Sequence, residues 1–132
     1  MKLLIVGPSR QPLEARAGAR VNVTAIFSRL GAREAFGEGK ETVLLVDVRD
    51  ADTGELLTDH LWFNRGRIWR NAGLIPGDTI AFSARPIEYR TGYWGPNALR
   101  RIDAPARRDY RLSTPEGLRI IARARRHNQA AA

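Results

Sequence analysis

Thr42–Phe63, TVLLVDVRDADTGELLTDHLWF, holds two apolar, β-branched runs separated by Asp50-Ala51-Asp52-Thr53-Gly54-Glu55. Runs of this length and composition suit strands. The insert is a hairpin signal, because Gly54 takes a positive φ without a Cβ penalty. Thr42–Asp50 and Leu56–Phe63 are therefore expected as the arms of a β-hairpin in a mainly β domain.

Outward from this hairpin the same grammar continues. Val21–Leu30 (VNVTAIFSRL) alternates, with Val21, Val23, Ala25 and Phe27 on one side, so it is expected as a strand. Arg65–Ala72 has few strand formers and stops before Gly73, which predicts a short helical element. Pro76-Gly77-Asp78 is a turn, and Thr79–Tyr89 (TIAFSARPIEY) alternates again, with Pro86 marking an edge or a bulge. Thr91–Ala106 reads as a long loop and Arg107–Leu112 as a last strand. Ser113-Thr114-Pro115-Glu116 has the features of a helix start, and Leu118, Ile121 and Ala122 form an apolar stripe beside a basic stripe of Arg119, Arg123 and Arg126. A C-terminal basic helix is expected there.

Five short strands with a helical element between the third and fourth match a five-stranded Greek-key barrel of OB-fold type, with the helical element as a plug. The expected organisation is an N-terminal strand or arm over residues 1–20, the barrel over 21–112, and the basic helix and tail over 113–132. Met1–Val6 is apolar but far shorter than a signal-peptide core, and no stretch approaches a membrane span. A cytoplasmic protein with no membrane partner is expected.

The charge speaks to partners. The chain of 132 residues has 22 basic and 14 acidic side chains, a formal charge of +8. Only Lys2 and Lys40 are lysines; a GC-rich genome accounts for that ratio but not for the net charge. Residues 100–132 hold nine arginines against Asp103, Asp109 and Glu116. Phosphate backbones, anionic membranes or an acidic protein fit such a surface. With no cysteine, thiolate catalysis, disulfides and Cys-ligated zinc are excluded. The two histidines, His60 and His127, have no metal-ligand spacing. Gly37-Glu38-Gly39-Lys40 lacks the glycine spacing and the hydroxyl of a phosphate loop. No catalytic residue, metal or cofactor is assigned, and an enzyme is not expected.

Strand alternation sorts the candidate surface. Leu44, Val46 and Val48 are taken as inward-facing, with Ile80, Phe82 and Ala84 on the fourth strand. The outward set is then Arg49, His60, Trp62, Arg85 and Tyr89. Basic and flat side chains together are what a single-stranded nucleic acid requires, cations for phosphates and rings for unpaired bases. Arg90, Tyr93 and Trp94 extend the set into the loop RTGYWG; Arg100 and Arg101 follow, and Arg119, Arg123 and Arg126 add the basic helix. Each has a plainer alternative: Trp62, Tyr93 and Trp94 as anchors, Trp69 as the barrel plug, His60 as a structural histidine, the arginine stripe as a solvated face. Asp59 and His60 are adjacent in a strand, so they are expected on opposite faces and not as an acid–base pair.

The strings LLVDVRDADTGELLTDHLWF and GDTIAFSARPIEYRTGYWG together resemble OB-fold-like proteins of bacterial mobile elements and phages. The likeness covers residues 42–95. It implies the barrel, and by similarity to OB-folds that bind single strands it implies nucleic-acid binding. The expectation is binding of single-stranded nucleic acid, DNA ahead of RNA, with weak sequence preference. The alternative is a protein-interaction module or oligomer subunit of such a system. A homo-oligomer is left open.

Overall fold

A computed structural model describes residues 10–35, 38–91, 96–99 and 107–124. The elements run α1 (Gln11–Glu14), β1 (Val21–Ala35), β2 (Glu38–Asp50), β3 (Leu56–Asn64), α2 (Arg67–Asn71), β4 (Thr79–Ala84), β5 (Pro86–Thr91), β6 (Arg107–Leu112) and β7 (Glu116–Ala122). All strand pairings are antiparallel, in a five-stranded sheet of order β3-β2-β1-β4-β7 and a two-stranded sheet of β5 and β6.

The β2–β3 hairpin forms where its turn chemistry places it. Gly54 has φ 78°, and the Asp50 carboxylate accepts from the N–H groups of Asp52 (2.8 Å) and Thr53 (3.2 Å). Arg16 Nε donates to Asp50 at 3.0 Å, and Arg16 Nη2 reaches Glu55, so the segment after α1 is tied to this turn. Burial pushes the Asp50 carboxyl up, but the hydrogen bonds from Arg16, Asp52 and Thr53 outweigh it and hold the group below its ordinary value.

Two β-bulges set which side chains face the core. In β2, Val46 pairs with Ile26 and Arg49 with Thr24, so Asp47 and Val48 stand opposite the single residue Ala25. Asp47 takes the left-handed conformation there, φ 51°. The extra residue reverses the alternation. Val43, Leu45 and Val48 are buried together, whereas Leu44 and Val46 are only half-buried. The expected inward set of Leu44, Val46 and Val48 is corrected to that extent. In β1, Phe27 pairs with Leu45 and Arg29 with Leu44, so Ser28 is the extra residue. Beyond it Arg29 and Gly31 lie on the outer face, although Val21, Val23, Ala25 and Phe27 of the same parity face inward.

The core lies between the five-stranded sheet and a layer made by α1, α2 and β6, which contribute Leu13, Trp69, Tyr110 and Leu112. Trp69 on α2 is 4% exposed and packs on Phe63 (centroids 5.1 Å) and Phe82 (6.3 Å). It is therefore a core residue carried by the short helical element.

β4 and β5 are one strand broken at Arg85, and β6 and β7 one strand broken at Ser113–Pro115. Their pairings run in near-constant register from Thr91↔Arg107 through Pro86↔Leu112 and Ser83↔Glu116 to Thr79↔Ala122. The pair forms a long bent hairpin whose tip half leaves the main sheet.

β7 replaces the expected C-terminal helix over the described part of that segment, to residue 124. Gly117 has φ 66°, which breaks a first helical turn, and Ile120-Ile121 is β-branched. Leu118 and Ile120 pack against the core while Arg119 and Ile121 point out, a period of two. The Ser-Thr-Pro sequence serves the bend. Arg119 and Arg123 consequently share no helical stripe, and Arg126 lies outside the described residues.

Among the described residues no ladder joins the edge of β3 to that of β6. α1 packs on β3, β5 and β6, across one part of that gap. Among the described residues the remainder of the gap is open.

Candidate nucleic-acid interface

The open part of the gap is a groove of about 740 Å³. β3 supplies one wall, from Leu61 to Asn64, and β6 with the bend supplies the other, through Arg111, Leu112, Thr114 and Pro115. The N-terminus of α2 and Arg10 complete it. Among the described residues three arginines (Arg10, Arg67 and Arg111), Trp62 and Tyr89 line the groove, and no Asp or Glu does so.

Each of these side chains is placed for a local reason. Arg67 follows Gly66, whose extended backbone starts α2, and Trp69, two residues on and so on the opposite face of the helix, is drawn into the core, which leaves Arg67 exposed. Arg111 alternates with the buried Tyr110 and Leu112 of β6 and so points outward. Arg67 and Arg111 make no ion pair with a described residue. Arg10 is more constrained: Nη1 donates to the carbonyl of Tyr110 and stands 3.8 Å from Asp109. Tyr89 is half-buried, and its hydroxyl donates to Asp109 at 3.0 Å. Burial, then that hydrogen bond, push the Tyr89 hydroxyl above its ordinary value, so it stays a neutral wall of the groove.

Trp62 is 42% exposed on the outward side of edge strand β3. It sits in one cross-strand row with Leu44 and Arg29, and the Arg29 guanidinium carbon is 5.1 Å from its ring centroid, within cation–π range.

The structure brings together only part of the expected set. Trp62 and Tyr89 reach the same groove. His60 is exposed two residues along β3 from Trp62. Its Nδ1 lies 2.7 Å from Asp59 Oδ1, so the expectation that these neighbours stay apart is corrected. β3 is an edge strand, and both side chains are free to curl into solvent. The hydrogen bond to His60 lowers the Asp59 pKa. Arg49 is tied to the β2–β3 turn, donating to Asp47 at 2.9 Å and to the Gly54 carbonyl at 3.0 Å. Arg85 is exposed at the bend, and Arg90 is exposed on β5 next to Tyr89 but of the opposite alternation. Arg119 is exposed on β7, at the far edge of the sheet from β3. Arg123 donates to Asp78 and to the Gly73 carbonyl, both at 3.1 Å, and so holds the end of β7. Tyr93, Trp94, Arg100, Arg101 and Arg126 lie outside the described residues.

Arg10, Arg29, Arg67 and Arg111 escaped the sequence reading. Arg111 was within reach, since it alternates with Tyr110 and Leu112 in RRDYRL. Arg29 required knowledge of the Ser28 bulge, and Arg10 and Arg67 that of tertiary placement.

Among the described residues no three His, Asp or Glu side chains are grouped to hold a metal, and no helix is long and apolar enough to cross a membrane. No family model, curated protein or solved structure matches the chain.

Proposed function

We propose that the protein binds single-stranded nucleic acid, DNA ahead of RNA and with weak sequence preference, along the groove between β3 and β6. The observation that carries this reading is the lining: among the described residues it holds three arginines, a half-exposed tryptophan and a tyrosine, and no carboxylate. Phosphates neutralise the arginines, and bases stack on the rings at about 1–3 kcal/mol each. The strand order β3-β2-β1-β4, with α2 between β3 and β4, supports the OB-fold-like reading. In that fold the sheet surface and its flanking loops take single strands. A cytoplasmic, non-enzymatic role goes with it.

One observation favours a second reading. The groove is flanked by two strand edges, and such edges accept an extended polypeptide by backbone pairing. An acidic peptide of a partner would suit the same arginines.

Fluorescence titration with a single-stranded oligonucleotide, its duplex and an acidic peptide, at two salt concentrations, separates the two. Tight, salt-dependent binding of the single strand with tryptophan quenching is expected. Binding of the peptide alone would replace the nucleic-acid reading with the interaction module.

A further inference from the structure

The surroundings of Trp62 go beyond a ring that happens to be exposed. Its indole lies across Gly31, where a Cβ would come within 2.7 Å of Cζ3, 2.9 Å of Cη2 and 2.9 Å of Thr42 Oγ1. Any side chain at position 31 would push the ring off the sheet. Gly31 has no positive φ to explain a glycine, so close approach is the reason for it. Arg29, two residues earlier on the same strand, stands at the ring 5.1 Å from its centroid. Among the described residues it forms no ion pair, and the one hydrogen bond of its guanidinium there, to the Leu30 carbonyl, is long at 3.4 Å. The guanidinium is thus held by the ring and by little else. The Ser28 bulge is what turns it to this face.

We propose that Gly31 and Arg29 make Trp62 a stacking platform selective for nucleotide units, as opposed to polyanions in general. Gly31 lets the indole lie on the sheet. Arg29 occupies the ring in the free protein and exchanges it for a ligand that offers two things at once: a flat base for the indole and a neighbouring phosphate for the guanidinium. A chain of phosphates without bases supplies only the second, and Arg29 would give up its ring contact with nothing stacked in its place. A duplex hides its bases and fails likewise. Gly31 and Arg29 are positioning residues here, and the inference rests on the nucleic-acid reading of the groove.

The test uses the full chain labelled with 5-fluorotryptophan, with the Trp62 ¹⁹F resonance assigned through Trp62→Phe. An oligothymidylate and an abasic deoxyribose-phosphate strand of equal length are titrated in, with affinity read by anisotropy. In the free protein, Arg29→Gln and Gly31→Ala should each move the Trp62 resonance. Oligothymidylate should move it and bind about tenfold more tightly than the abasic strand. Gly31→Ala should erase most of that ratio, and the exposed Arg29→Gln substitution gives a second variant that does not crowd the sheet. Equal affinity for the two strands would overturn the platform and leave the groove reading standing, as would oligothymidylate binding with a stationary Trp62 resonance. Failure of both strands to bind would overturn the nucleic-acid reading, and the platform with it.

Discussion

Arg85 and Ser113 exchange two hydrogen bonds across the bend of the long hairpin: the Ser113 N–H donates to the Arg85 carbonyl and the Arg85 N–H to Ser113 Oγ, both at 2.9 Å. The serine hydroxyl stands in for the ladder carbonyl that the break removes. Ser113→Ala should therefore destabilise the fold by about 1 kcal/mol, the worth of one such bond. Ser113→Thr should retain most of it. Urea denaturation of the three proteins checks the order.

Asp78 holds the other end of the same hairpin. It is 0% exposed, and its carboxylate accepts from the N–H groups of Ile75 (2.9 Å) and Ala124 (2.8 Å) and from Arg123 (3.1 Å). Burial pushes this carboxyl up, but the hydrogen bonds from Ile75 and Ala124 and the charge of Arg123 more than offset it, so its pKa is lowered. Stability from such a group is fully present above its ordinary value of 3.8 and is lost as pH falls through the lower folded value. Asp78→Ala should cost about 3 kcal/mol at neutral pH, because it leaves buried donors unpaired. Below pH 3.8 the gap between variant and wild type should narrow. Denaturation midpoints measured across pH 2–7 would show it.

Trp69 anchors α2 through Phe63 and Phe82. Trp69→Ala should cost about 3–5 kcal/mol, as large aromatic truncations in a core do. Trp69→Phe should cost less and retain the near-ultraviolet dichroism of a fixed aromatic cluster. Thermal unfolding followed at that wavelength distinguishes them.

Salt dependence locates the phosphates. Three groove arginines imply a slope of about −2 for log affinity against log salt on a single strand. Arg67→Ala and Arg111→Ala should each flatten it by about 0.7. Arg119→Ala, at the opposite edge of the sheet from β3, should leave the wild-type slope unchanged. Titrations at four salt concentrations read all four slopes.

Much of this architecture was legible locally. The turn at residues 50–55, the helical element carrying Trp69 and the Gly77-Asp78 turn all follow from short-range chemistry, and each stands where its residues put it. The phase of β2 was not legible, because its bulge rests on Asp47 at positive φ, with no glycine to announce it. Residues 116–122 looked helical because Ser-Thr-Pro-Glu imitates a capping sequence; pairing with β4 overrode it. Of the five groove side chains on which the candidate site rests, two could be read. Trp62 and Tyr89 stand out by residue type, but the groove lies between strands some fifty residues apart, and its arginines owe their convergence to that long-range packing.

The continuity of the bent hairpin also orders assembly in time. β1, β2 and β3 pair with near neighbours in the chain, whereas β4 needs β1 on one side and β7, some forty residues later, on the other. During synthesis the three-stranded meander is available first, and the far edge of β4 stays bare until residue 122 has left the ribosome. That interval, with Ile80 and Phe82 on an uncovered strand, is when the nascent chain is most exposed to wrong partners.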